Sequence, residues 1–157
     1  MSEDLVIISG TKEEQYLELI PQIAAILEGE PDLIANLANI TAALKQQFGW
    51  LWIGFYLVKG EELVLGPFQG PVACTRIKMG KGVCGTAWEQ KRNLIVDDVH
   101  SFPGHISCSS LSKSEIVLPL ILNEKVIGVL DIDHSTYAAF DKTDELFLSE
   151  IISLIRL

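Results

Sequence analysis

Apolar positions recur at helical spacing through the first third of the chain, then give way to short apolar runs broken by turn residues. Thr11, followed three residues later by Glu14, has the pattern of a capping box. It predicts a helix over about residues 12–28, with Pro21 as a kink. Pro31-Asp32 opens a second helix, LIANLANITAALKQQF, and Gly49 is its stop. WLWIGFYLV reads as a strand, KGEE as a turn, LVLGPFQ as the next strand and ACTRIKM as a third. GVCGTAWEQK predicts a short helix, NLIVDDV a short strand, and the serines, Pro103 and Gly104 of residues 99–112 a long loop. SEIVLPLIL and KVIGVLDID form the strongest strand pair, joined at Asn123-Glu124. A terminal helix carries Phe147, Ile151, Leu154 and Ile155 on one face. Hairpin-length connections predict a mainly antiparallel sheet with helices packed on it, an α/β protein of the α+β type.

Composition narrows the partners. The 157 residues suit a single domain spanning 1–157, and 48% hydrophobic with 21% charged residues argues for a full core. A net charge of −9 leaves no basic patch for phosphates, so no nucleic acid and no anionic membrane surface is expected as a partner. The first residues lack a basic n-region and an apolar h-region, and IVLPLIL is far too short to span a bilayer. A cytoplasmic protein is expected. Its three cysteines, an odd count, make a poor disulfide framework there. A disulfide in this chain would be transient and catalytic.

Cys74 falls on a predicted strand and Cys84 in the apolar short helix, where small buried thiols are ordinary core residues. Cys108 is different, because it sits among serines in a polar loop, where packing gives little reason for a thiol. No C-x-x-C or H-x-x-x-H pair accompanies it, so the spacing argues against zinc. A Cys–His nucleophilic pair with His105 or His134 as base is one competing reading. Asp131 and Asp133 alternate on a strand and share a face; Mg²⁺ could use such a pair, but nothing else in the chain resembles a phosphate cradle. Glu115 lies on the preceding strand. A two-residue turn at Asn123-Glu124 sets Glu115 across from Ile132, on the opposite face. A longer loop, or one bulge near Gly128, sets it opposite Asp133. A working site requires the second arrangement. Three carboxylates would then share one pocket, and at least one would keep a proton near neutral pH.

The three cysteines, ten and then twenty-four positions apart, together with GKGVCGTAW, VDDVHSFPGHISCSSLSKSEIVLPL and VIGVLDIDH, resemble the free methionine-(R)-sulfoxide reductases, which are GAF-domain enzymes. Asn123, Lys125, Phe140, Asp144 and Glu145 also resemble a GAF signature, with Glu124 interrupting its N-K step. The resemblance implies a GAF-like fold, a six-stranded, mainly antiparallel sheet between helices. It implies a homodimeric cytoplasmic enzyme that reduces free methionine (R)-sulfoxide and is recycled by thioredoxin, itself reduced by NADPH. Carried over by position, Cys108 matches the catalytic cysteine, Cys74 the resolving one, and Cys84 a third thiol able to enter disulfide exchange. Glu115, Asp131 and Asp133 match substrate-binding carboxylates; Trp52 and Tyr56 match aromatic pocket residues.

The chemistry fits such a set. A sulfoxide needs a nucleophile at sulfur and a proton at oxygen, which points to Cys108 and a protonated Glu115. A cysteine sulfenic acid follows, and a second thiol condenses with it to a disulfide. No metal or organic cofactor is required. The remaining carboxylates can hold a free α-amino group. A non-enzymatic GAF small-molecule sensor, or a cysteine redox switch without a substrate, are the alternatives; the first leaves the thiols without a role and the second does not require the carboxylates.

Overall fold

The computed structural model of the chain describes residues 4–157. Two helices open it, α1 (Lys12–Leu27) and α2 (Leu33–Phe48). The Thr11 hydroxyl accepts from Glu14 N at 3.1 Å and the Glu14 carboxylate accepts from Thr11 N at 3.3 Å, closing the capping box that starts α1. Pro21 lies inside α1, which stays helical on both sides of it. Asp32 caps α2, and Gly49 ends it in the left-handed region, at φ 64°.

Strands β1 (Trp52–Lys59), β2 (Glu62–Gln69) and β3 (Arg76–Lys78) follow, then α3 (Gly82–Gln90), β4 (Leu94–Val96), β5 (Ser114–Leu122), β6 (Lys125–His134) and α4 (Lys142–Ser153). Among the described residues they form one six-stranded antiparallel sheet in the order β3-β2-β1-β6-β5-β4. One sheet face packs against α1, α2 and α4 around Ile53, Phe55, Ile116 and Ile132. The other carries α3, around Tyr56, Val117 and Val129. The sheet is therefore sandwiched between helices, and successive residues of β1, β5 and β6 serve opposite faces.

Two elements are shorter than the hydrophobic pattern suggests. The third strand holds only Arg76–Lys78, so Cys74 lies in the coil before it and not on a strand. The terminal helix stops at Ser153, although Ile155 beyond its end is still buried. Within the 99–112 loop a 3-10 turn forms at Val99–Ser101. In the third strand and the terminal helix the apolar pattern extends beyond the ladder or helix bonds, because burial and regular hydrogen bonding are separate requirements.

The β5–β6 register decides the geometry of the other sheet face. Asn123 and Glu124 make a two-residue turn with both φ values positive, at 51° and 64°. Leu122 pairs with Lys125 and Ile121 with Val126, but Leu120 pairs with Gly128. Ile127 is thus the extra residue of a bulge, and beyond it the parity is reversed. Glu115 comes opposite Asp133. Gly128 permits the arrangement: a Cβ there would stand 2.6 Å from the Tyr56 carbonyl oxygen of the neighbouring strand.

Asp144 joins α1 to α4. Its carboxylate is fully buried and accepts from the Tyr16 hydroxyl at 2.6 Å, Lys12 Nζ at 2.6 Å and Asp141 N at 2.9 Å. Every partner is a donor, so the buried charge is satisfied. Asp144→Ala should lower stability by about 3 kcal/mol in chemical denaturation, because the buried Tyr16 hydroxyl loses its acceptor and Lys12 the shortest of its own. Conversely, Glu124→Gly should raise stability by about 0.5–1 kcal/mol, read as a higher denaturation midpoint, since φ 64° suits glycine.

Candidate active site

The alternation of β1 and β6 places Trp52, Tyr56, Asp131 and Asp133 on the α3 side of the sheet, and the bulge brings Glu115 to them. Trp52 pairs with Asp133, which pairs in turn with Glu115, so the three lie in one row across the sheet. Between Trp52 and Tyr56, Gly54 leaves room for the indole: a Cβ there would fall 2.3 Å from Trp52 Cη2. These residues line a pocket of about 620 Å³, open mouth included. α3 contributes Cys84 to its wall, and the 99–112 loop contributes His105, Cys108 and Ser112.

Cys74 and Cys108 are joined in a disulfide, with their Cα atoms 5.4 Å apart. It ties the coil before β3 to the long loop beside the pocket. Cys84 is a free thiol, buried, with Sγ 4.0 Å from Glu115 Oε2 and in hydrogen-bonding reach of Asp131. Burial and the neighbouring carboxylates hold its pKa well up, so it is a poor nucleophile.

Glu115 and Asp131 are each 6% exposed. Burial, then the charges of Asp131 and Asp133, push the Glu115 carboxyl well above its ordinary range. Burial also raises Asp131, but hydrogen bonds from Glu115 and Cys84 favour its ionised form. Asp133 is raised by burial and by Asp131, against a 2.8 Å hydrogen bond from Ser112. The cluster therefore shares protons, and Glu115 is the member best placed to keep one. Asp131 Oδ1 is buried without a hydrogen-bond partner. A buried carboxylate oxygen without a partner, on a residue that lines a pocket, offers an acceptor for a ligand's donor.

The aromatic pair does more than wall the pocket. Trp52 Nε1 donates to Pro71 O at 3.1 Å and the Tyr56 hydroxyl to Cys74 O at 2.9 Å. Neither histidine pairs with Cys108 in this form. His134 Nδ1 accepts from Thr136 N at 3.0 Å and its ring lies against Phe140, in the opposite core. His105 stands in the pocket wall, edge-on to His100. Ser112, the donor to Asp133, escaped the sequence reading; only its place in a serine-rich loop pointed to it.

The GAF domain model matches residues 30–157. A Dictyostelium discoideum protein called GAF domain-containing protein A is 62% identical over 156 residues, covering 99% of both chains. The free methionine-R-sulfoxide reductase of Escherichia coli is 45% identical over 143 residues, 90% of this chain and 87% of that one. The X-ray structure of free methionine-R-sulfoxide reductase from Neisseria meningitidis in complex with its substrate superposes with a TM-score of 0.96 at 50% identity, covering 98% and 93%. The chain belongs to the free methionine-R-sulfoxide reductase family of GAF domains.

In this reductase-family chain the GAF signature residues are mostly structural. Asn123 and Lys125 bound the β5–β6 turn, Phe140 is core, and Asp144 is the buried acceptor between α1 and α4. The signature marks the fold, while the pocket is built by Glu115, Asp131 and Asp133.

The raised carboxyl has a consequence for stability. Between the ordinary glutamate value of 4.5 and the higher folded value, the unfolded chain has released the Glu115 proton and the folded chain retains it. Stability must then fall as pH rises through that window. Glu115→Gln should flatten the fall, by up to about 1.4 kcal/mol per pH unit above the ordinary glutamate value. Urea denaturation of the disulfide form at several pH values measures it; identical slopes would contradict a retained proton.

Proposed function

We propose that the protein reduces free methionine (R)-sulfoxide to methionine with thiol electrons. The observation that carries this reading is the Cys74–Cys108 disulfide beside a pocket that holds Glu115, Asp131 and Asp133. In the reduced enzyme the Cys108 thiolate attacks the sulfoxide sulfur. Glu115 donates a proton to the departing oxygen, and oxygen passes to Cys108 as sulfenic acid while methionine leaves. Cys74 then attacks the sulfenic sulfur, the S–S bond forms and water departs. Cys84, held protonated at the pocket wall, stays out of this cycle and supports the charge on Asp131.

Preference for the free amino acid follows from Asp131. Its unpartnered Oδ1 would accept from the substrate α-ammonium, a group that a residue within a polypeptide lacks. Trp52 and Tyr56 offer aromatic faces to the S-methyl end. Backbone N–H groups of residues 107–110 suit the substrate carboxylate. Reduction of the disulfide falls to thioredoxin in a homodimeric, cytoplasmic enzyme. Cys108 is solvent-exposed, and Val72 beside the bridge is 89% exposed, so a partner's thiol can reach the sulfur. No described helix is long and apolar enough to cross a membrane.

The test is NADPH consumption with thioredoxin and its reductase, for each enantiomer of free methionine sulfoxide. Consumption is expected with the R form and should vanish in Cys108→Ser; no consumption with the R form removes the reading. Glu115→Gln should slow methionine formation about 10²-fold. Light scattering of the native enzyme checks the dimer, and a monomer mass would remove it.

A further inference from the structure

The resolving thiol sits on a segment with no strand of its own. Residues 70–75 join β2 to β3, and β3 starts only at Arg76. Three hydrogen bonds hold the segment from β1 and β2. Trp52 Nε1 donates to Pro71 O at 3.1 Å, the Tyr56 hydroxyl to Cys74 O at 2.9 Å, and Leu65 N to Thr75 O at 2.9 Å. The Tyr56 bond is the one that lands on the cysteine itself. Tyr56 is 2% exposed, fixed on the central strand by ladders on both sides. Burial and the Asp131 charge hold its phenol up, so the hydroxyl remains a donor throughout the neutral range.

We propose that Tyr56 is a positioning residue for the second half of the cycle: its hydroxyl holds the Cys74 main chain where the thiol meets the Cys108 sulfenic acid. This rests on the reductase reading above. Condensation forms one S–S bond, breaks one S–O bond and releases water, whose second hydrogen is the Cys74 thiol proton. The step needs no further oxidant. What it needs is proximity, since a bridge closes only when the two Cα atoms lie about 4.4–6.8 Å apart. In the closed bridge they stand 5.4 Å apart, with the Tyr56 hydroxyl on the Cys74 carbonyl. Without the hydroxyl, Cys74 would spend less time in that range.

Tyr56→Phe keeps the ring and removes the hydroxyl. In a single turnover of reduced enzyme with methionine (R)-sulfoxide, methionine formation reports what loss of the hydroxyl does to the pocket itself. Disulfide formation, followed by acid quench and mass spectrometry, should slow by about fivefold to tenfold, and dimedone should trap Cys108 sulfenic acid. An excess of a small monothiol, one equivalent of which converts the sulfenic acid to a mixed disulfide with loss of water and a second of which frees Cys108, should support the variant's turnover better, relative to wild type, than thioredoxin does. Equal slowing of both steps, or of neither, overturns the assignment. A second arm makes the sulfenic acid with hydrogen peroxide and measures closure of the disulfide with no substrate present. Equal closure rates in wild type and Tyr56→Phe overturn the positioning role even if the substrate reading fails; a wild-type enzyme that yields no methionine, yet closes faster than the variant, overturns only that reading.

Discussion

One bulged residue on β6 carries the site. Side chains of a strand alternate with a period of two, so a single extra residue at Ile127 moves everything upstream on β5 to the other face relative to β6. Without it, Glu115 would point into the core shared by α1, α2 and α4, on the face away from Asp131 and Asp133. With it, Glu115 stands beside Asp133 in a row that continues to Trp52. The close approach of Gly128 to the Tyr56 carbonyl shows how the neighbouring strand accommodates this local change.

The chain buries carboxylates in two places and treats them in opposite ways. Asp144 meets a phenol, an ammonium and a backbone N–H, and its job is to join two helices. Glu115, Asp131 and Asp133 meet chiefly one another, with Ser112 and the Cys84 thiol as the added donors. Like charges at that distance favour shared protons, and one acceptor atom on Asp131 is left open. The first arrangement is complete by itself. The second leaves an acceptor and a retained proton facing the pocket, which the proposed substrate, an amino acid bearing an oxidised sulfur, would meet with its ammonium and its oxygen.

The two loops beside the pocket have different supports. The 99–112 loop carries Cys108 and gains its order from a 3-10 turn and from Ser112 at its end. The 70–75 segment hangs from β1 through two aromatic side chains. Trp52 and Tyr56 therefore link the sheet, the pocket and the redox centre. Their spacing on β1 has a packing explanation and a chemical one at once, so periodicity could not distinguish them.

Much of the fold was legible from short-range signals. The capping box at Thr11 and Glu14, the glycine stop at Gly49 and the strong β5–β6 pair all stand close to where local pattern puts them. The shared face of Asp131 and Asp133 was legible too, because it depends on strand alternation alone. Cys74 was misplaced onto a strand, since its apolar neighbours continue a pattern that the ladder does not follow. The sequence by itself determined the element types, the pair of aspartates and the unusual setting of Cys108, because capping, turns and periodicity act over a few residues. Only the tertiary structure decided that Glu115 joins the aspartates, and that Cys108 meets Cys74 across 34 residues while Cys84 stays buried. Register parity and loop closure are set by packing between distant segments, which no local pattern contains.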